Sequence, residues 1–169
     1  MTAVLWTSAA AARATGGQNN RSWSATGVAI DSRQIERGDL FVALVGERFD
    51  GHDFVADAFA RSATAAVVSR QPANVAGDRP LLTVPDTMTA LTALGAAARA
   101  RCSAKIVAIT GSVGKTGTKE ALRLALAAQG PTTATAGNLN NQIGVPLSLA
   151  RMPEVSVTAS RGSTASSRR

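Results

Sequence analysis

Residues 105–116, Lys-Ile-Val-Ala-Ile-Thr-Gly-Ser-Val-Gly-Lys-Thr, run from a short apolar stretch into a glycine turn ending on Lys115 and Thr116. That order is the pattern of a buried strand feeding a phosphate-binding loop and then a helix. Gly111 and Gly114 allow a tight turn in which successive backbone N–H groups converge on one concavity. The helix expected beyond, through Glu120-Ala-Leu-Arg-Leu-Ala-Leu, adds its unsatisfied N-terminal donors and positive dipole end. The expected ligand is a nucleoside triphosphate. Gly111, Ser112, Val113, Gly114, Lys115, Thr116 and Gly117 form its cradle, with Lys115 as the catalytic cation on the outer phosphates and Thr116 as the Mg²⁺ ligand. Ile109 stands where the common form of this loop has its first glycine, so the loop is of the shorter Thr-Gly-x-x-Gly-Lys-Thr kind.

The charge distribution supports an anion at this loop. The chain's formal net charge is +7, and its only three lysines are Lys105, Lys115 and Lys119. Residues 1–102 carry ten Arg against nine acidic residues, residues 103–154 carry five basic against two acidic, and residues 155–169 carry three Arg and no acid. The excess therefore sits at the loop and in the tail. A nucleic-acid binder spreads a basic stripe over a folded face and interleaves aromatics for stacking. Here there is no Tyr, and none of the six Phe and Trp residues stands in a basic cluster, so nucleic acid is not an expected partner. The single cysteine, Cys102, excludes an intrachain disulfide and suits a reducing compartment. No apolar run approaches the ~18 residues of a membrane span, and residues 1–12 lack the basic start of a signal peptide. A cytoplasmic monomer is expected.

Along the chain, an Ala-rich helix is expected from a Thr7 or Ser8 cap to a stop at Gly16-Gly17. Residues 25–31, 40–45, 65–69 and 81–84 read as strands. Phe54, Val55, Ala58 and Phe59 fall at helical spacing within 52–60, and Asp86 or Thr87 caps a helix to about Arg101 with Met88, Leu91 and Leu94 buried. This alternation predicts an α/β domain over 1–102. A second α/β unit over 103–154 begins with a strand at 105–110, followed by the loop, a helix to about Gln129 and a short strand at 132–136. Residues 155–169 are Ser, Thr, Ala and Arg without periodicity, and are expected to be disordered.

Three runs resemble the first domain of the Mur ligases: Asp31-Ser-Arg33, Arg37-Gly-Asp-Leu-Phe-Val-Ala-Leu44 and Gly46-Glu-Arg-Phe-Asp-Gly-His-Asp-Phe54. Thr110–Thr116 is similar to that family's ATP loop, and Gly137-Asn-Leu-Asn-Asn-Gln-Ile-Gly-Val-Pro-Leu147 to its member acting on D-alanyl-D-alanine. The resemblance covers about residues 1–154. It implies a UDP-sugar-binding first domain, the start of an ATP-binding central domain, and ATP with Mg²⁺ as cofactors. The implied reaction joins D-alanyl-D-alanine to UDP-N-acetylmuramoyl-tripeptide through an acyl phosphate; a ligase adding the third amino acid and a non-catalytic UDP-sugar-binding remnant are the alternatives. On the same resemblance Ser32, Arg33, Asn138, Asn140 and Asn141 contact the UDP-linked substrate. The other reading of Asp31-Ser-Arg33 is a strand-end Asx turn, and of the asparagines a polar loop. His52, the only histidine, takes a hydrogen-bonded structural role.

The family pattern stops just after Arg151-Met-Pro153, and the tail reads like a frameshifted or otherwise altered end. The metal-binding glutamate on the family's next strand, its modified lysine and its third domain have no counterpart in these 169 residues. Residues 105–154 supply about two strands and one helix of a parallel sheet that needs cover on both faces. The isolated polypeptide is therefore expected to show no ligase turnover. ATP- and D-alanyl-D-alanine-dependent amide formation by the purified chain would contradict this.

Overall fold

The computed structural model describes residues 3–105, 107, 109, 113–130, 132, 134 and 142–153. Strands β4 (Gly27–Ala29), β5 (Asp39–Val42), β6 (Ala65–Val68) and β7 (Leu81–Thr83) run parallel, and β2 (Gln18–Asn19) joins β7 antiparallel. The order across the sheet is β2-β7-β6-β5-β4, which leaves β4 at one edge. A separate antiparallel pair, β1 (Trp6–Thr7) and β3 (Ser24–Ala25), lies beside it.

Strand composition dictates a sheet covered on both faces. Every residue of β5 and β6 is buried, the continuous apolar reading characteristic of parallel strands. Because side chains alternate, Leu40, Val42, Ala65 and Val67 enter one core while Phe41, Ala66 and Val68 enter the other. The second core is closed by α2 (Val55–Ala60) through Val55, Ala58 and Phe59. The first is closed by α1 (Ser8–Thr15), α3 (Thr87–Arg101) and α5 (Gly144–Ala150).

Local signals place the helices. Thr7 Oγ1 accepts from Ala10 N at 3.2 Å to start α1, and Gly16 ends it in the left-handed conformation. Asp86 Oδ1 accepts from Thr89 N at 2.6 Å to start α3, whose buried face carries Leu91 and Leu94, with Met88 only partly covered. Cys102 follows α3 and is buried. The remaining helix, α4 (Lys115–Ala127), buries none of its described side chains.

Two expectations need refinement. The strand read over 25–31 is divided, because Ser24 and Ala25 pair with Thr7 and Trp6 while Gly27 to Ala29 pair with Asp39 to Phe41. The helix read over 52–60 begins as a 3₁₀ turn at Gly51–Phe54, since the Asp50 carboxylate accepts from His52 N and fixes a tighter start. The strands expected at 105–110 and 132–136, and the disorder expected at 155–169, fall wholly or partly outside the described residues.

His52 is a structural tie. Its buried ring accepts the Ser69 N–H at Nε2, 2.9 Å away, so the proton sits on Nδ1 and points to Asp50 Oδ1 at 2.6 Å. Asp50 also pairs with Arg70. Burial pushes the Asp50 carboxyl up, but hydrogen bonds from Arg70 and from the amide and ring of His52 outweigh it and hold the group well below the usual carboxylate range. A depressed carboxyl contributes stability above its unfolded pKa of ~4 and loses it as the solution is acidified through the folded value. Urea midpoints should therefore fall as pH drops below about 4, and Asp50→Asn should be less stable at pH 7 with a shallower acid slope. An unchanged slope in the variant would show that Asp50 carries none of it.

Candidate functional site: a phosphate-binding helix start and a sheet-edge cavity

The first element of the site is the entry to α4. Gly114 immediately precedes the helix with φ +81°, a conformation that costs an L side chain strain and glycine almost none. Thr118 N donates to Gly114 O at 3.0 Å, closing the first helical turn. The first turn contains no acidic residue, and Lys115 and Lys119 lie on it or one turn on. A helix start with a left-handed glycine ahead of it and lysines beside it favours an anionic group. Val113 stands beside it, almost fully exposed. Thr116 and Gly117 are exposed and Lys115 is half-buried.

Further along α4, Glu120 pairs with Arg123 at 2.7 Å and with Lys119 at 3.4 Å. The hydrogen bond from Arg123 chiefly lowers its carboxyl pKa. Gly111 and Ser112, expected in the same cradle, and Asn138, Asn140 and Asn141 lie outside the described residues. Among the described residues no cluster of three or more His, Cys, Asp or Glu side chains could hold a metal ion.

The second element is the turn after β4. Asp31 Oδ1 accepts from Arg33 N at 3.0 Å, which makes an Asx turn and starts the 3₁₀ segment Ser32–Gln34. Arg33 is exposed and folds back on Asp31, with Nε–Oδ1 2.9 Å and Nη2–Oδ2 2.7 Å. That pairing lowers the Asp31 carboxyl pKa and raises that of the guanidinium. Ser32 is buried. The Asx-turn reading of Asp31-Ser-Arg33 is present in the geometry, with Ser32 buried and Arg33 exposed and paired to Asp31.

Gln34, at the end of that turn, lines an open cavity of about 610 Å³ along the edge of β4, together with Thr26, Glu36, Asp39 and Arg151. Asp39 is buried, and its Oδ2 accepts from Glu36 N at 2.9 Å. Desolvation is the main cause of its raised pKa, opposed by the Glu36 amide and by Arg151. Asp39, Glu36 and Arg151 were not singled out by sequence reasoning. Asp39 reads as a turn residue before an apolar strand, and Arg151 lies 123 positions from its partner Val28, a separation with no local pattern.

Comparison with known proteins places the chain in a family. A family model described as "Mur ligase family, catalytic domain" matches residues 24–126, and one for the Mur ligase middle domain matches residues 109–160. The chain belongs to the Mur ligase family. It is 50% identical over 125 residues to the UDP-N-acetylmuramoyl-tripeptide–D-alanyl-D-alanine ligase of Escherichia coli, covering 74% of this chain and 27% of that protein. A crystal structure of MurF from Acinetobacter baumannii superposes with a TM-score of 0.76 at 40% identity, covering 88% of this chain and 33% of that one. The MurF ligase of Thermotoga maritima, solved in complex with ADP, gives a TM-score of 0.57 at 36% identity over 74% of this chain and 29% of that one. This Mur ligase chain therefore spans about a third or less of the length of these relatives.

Removing the Lys115 ammonium while keeping the helix start should weaken a phosphate ligand by one charge-assisted contact, roughly 10- to 100-fold. Titration of Mg·ADP into the chain and into Lys115→Ala measures this directly. Equal affinities would remove Lys115 from the site.

Proposed function

We propose that this chain provides the nucleotide-sugar domain and the ATP loop of a ligase that joins D-alanyl-D-alanine to UDP-N-acetylmuramoyl-tripeptide. The observation that carries this reading is the start of α4, where a left-handed Gly114 hands over to Lys115 and Thr116 at the positive end of the helix. The family membership and the ADP-bound relative support a nucleoside triphosphate as its ligand. We assign residues 1–102 to the UDP-sugar domain and 103–154 to the start of the ATP-binding domain. A cytoplasmic monomer is consistent with one buried free cysteine and with no described helix long and apolar enough to cross a membrane.

In this reading the tripeptide carboxylate attacks the γ-phosphorus of ATP, giving an acyl phosphate and ADP. The D-alanyl-D-alanine amine then adds to the acyl carbon, and phosphate leaves as the amide forms. Phosphoryl transfer depends on placement and charge neutralisation far more than on covalent help. The α4 amides, with those of Gly111 and Ser112, orient the phosphate chain. Lys115 neutralises charge on the outer phosphates, and the Thr116 hydroxyl would hold Mg²⁺, which would supply further charge neutralisation at the transferred phosphoryl group. Ser32 and Arg33 anchor the uridine end, and Asn138, Asn140 and Asn141 approach the UDP-sugar or the transfer centre.

Calorimetric titration with UDP-N-acetylmuramoyl-tripeptide should give saturable binding to the unaltered chain. Arg33→Ala should weaken it about tenfold, the loss of one charged hydrogen bond, and Lys115→Ala should leave it unchanged. No heat of binding to the unaltered chain would defeat the proposal.

A further inference from the structure

Helix α5 follows the asparagine-containing segment directly in the chain, yet it is built into the core of the first unit. Leu147 and Ala150 are buried in the cluster that holds Leu40, Val67 and Leu91, and Ile143 packs against it. Three contacts from distant parts of the sequence fix the helix. The indole N–H of buried Trp6 donates to Ala150 O at 2.9 Å, satisfying a carbonyl that the end of α5 leaves open. Gly95 of α3 faces the Pro146 backbone so closely that a Cβ there would lie 2.8 Å from its carbonyl oxygen, so only glycine permits this approach. Arg151, one residue past α5, donates from Nε to Val28 O at 2.6 Å.

The last contact has functional weight because of where Val28 lies. It is the middle residue of edge strand β4, and β4 leads within two residues into the Asp31–Gln34 turn. Arg151 also lines the cavity whose wall includes Gln34 and Asp39. One guanidinium therefore touches the strand carrying the proposed uridine anchor and terminates the helix following the proposed transfer-centre asparagines. Trp6 is held in turn from the other side, its ring beneath the Arg101 guanidinium at 4.0 Å.

Resting on the functional reading above, we propose that Arg151 is a positioning residue coupling UDP-sugar binding at the β4 turn to the docking of α5. A ligand that favours the clamped β4 edge must favour docked α5 by the same factor, because coupling between two sites is reciprocal. The α5 backbone amides report docking without requiring turnover.

The test is hydrogen exchange of residues 144–150 in the full chain, with and without saturating UDP-N-acetylmuramoyl-tripeptide, alongside calorimetric binding. In the unaltered chain ligand should slow α5 exchange at least fivefold, the lower end of ordinary coupling factors. In Arg151→Met, binding should weaken by a similar factor while ligand no longer slows α5 exchange. Gly95→Ala, which displaces α5 from the opposite side, should also lose the ligand response. Arg151→Lys, keeping a cationic donor, should recover part of it. A residue that only stabilised the fold would raise basal exchange everywhere and leave the ligand-induced ratio intact. Substrate binding with no α5 response in the unaltered chain, or an undiminished response in Arg151→Met, overturns the coupling alone. Failure of the unaltered chain to bind substrate overturns the functional reading, and the coupling with it.

Discussion

The need to cover a short parallel sheet on both faces governs everything else in this molecule. With β5 and β6 buried at every position, neither face can meet water. The α2 side is supplied locally, from the connection between β5 and β6. The other side is too broad for α1 and α3 alone. Leu147 and Ala150 complete it from a helix that begins 43 residues after α3 ends, Gly144 against Arg101. Burial of a Leu side chain is worth about 2 kcal/mol, so the docking of α5 is a substantial part of a small core.

Local chemistry made much of this readable. Thr7 and Asp86 announce helix starts because a side-chain oxygen spaced two or three residues ahead of an open amide caps it whatever the tertiary context. The apolar runs at 65–68 and 81–83 could only be strands between turn-rich flanks. The hydrogen-bonded role of His52 follows from a lone imidazole placed beside Asp50. By contrast, β2 is two polar residues, Gln18 and Asn19, whose pairing with β7 is stabilised by Asn20 Oδ1 accepting from Leu81 N at 2.8 Å. No hydrophobic period marks such a strand. Arg151 and Asp39 escaped for a related reason: their roles come from a fold that brings sequence-distant backbone to them.

The two parts of the candidate site differ in the same way. The α4 entry is encoded in consecutive residues, since glycine, lysine and threonine act through the backbone they sit on. The β4 cavity is assembled from residues 26–39 and 151, and its electrostatics belong to the assembly. Asp39 has its raised pKa because burial between β4 and the Glu36 turn removes its water, with Arg151 only partly opposing the effect. A mixed acidic and basic lining of this sort favours a ligand that itself carries both hydrogen-bond donors and acceptors. It disfavours a bare polyanion, which the α4 entry is far better equipped to hold. The two regions thus differ in charge, with lysines beside the α4 entry and a mixed acidic and basic lining at the β4 edge.

Seen from the first core, residues 103–143 are an insertion: α3 leads into them and α5 returns from them, and both helices belong to the same packed face. The close approach of Gly95 to the Pro146 backbone packs α5 directly against the middle of α3. Closing a loop of this size adds only slowly to the entropic cost as the loop lengthens. The Trp6 and Arg151 ties, spanning 144 and 123 positions, need only modest energy to hold the return helix in place. What they fix is geometry. Moving α5 off β4 would break the Arg151–Val28 hydrogen bond, and an unpaired buried carbonyl or indole N–H costs about 1–3 kcal/mol. That penalty holds α5 against the edge of β4, just ahead of the turn that contains Ser32 and Arg33.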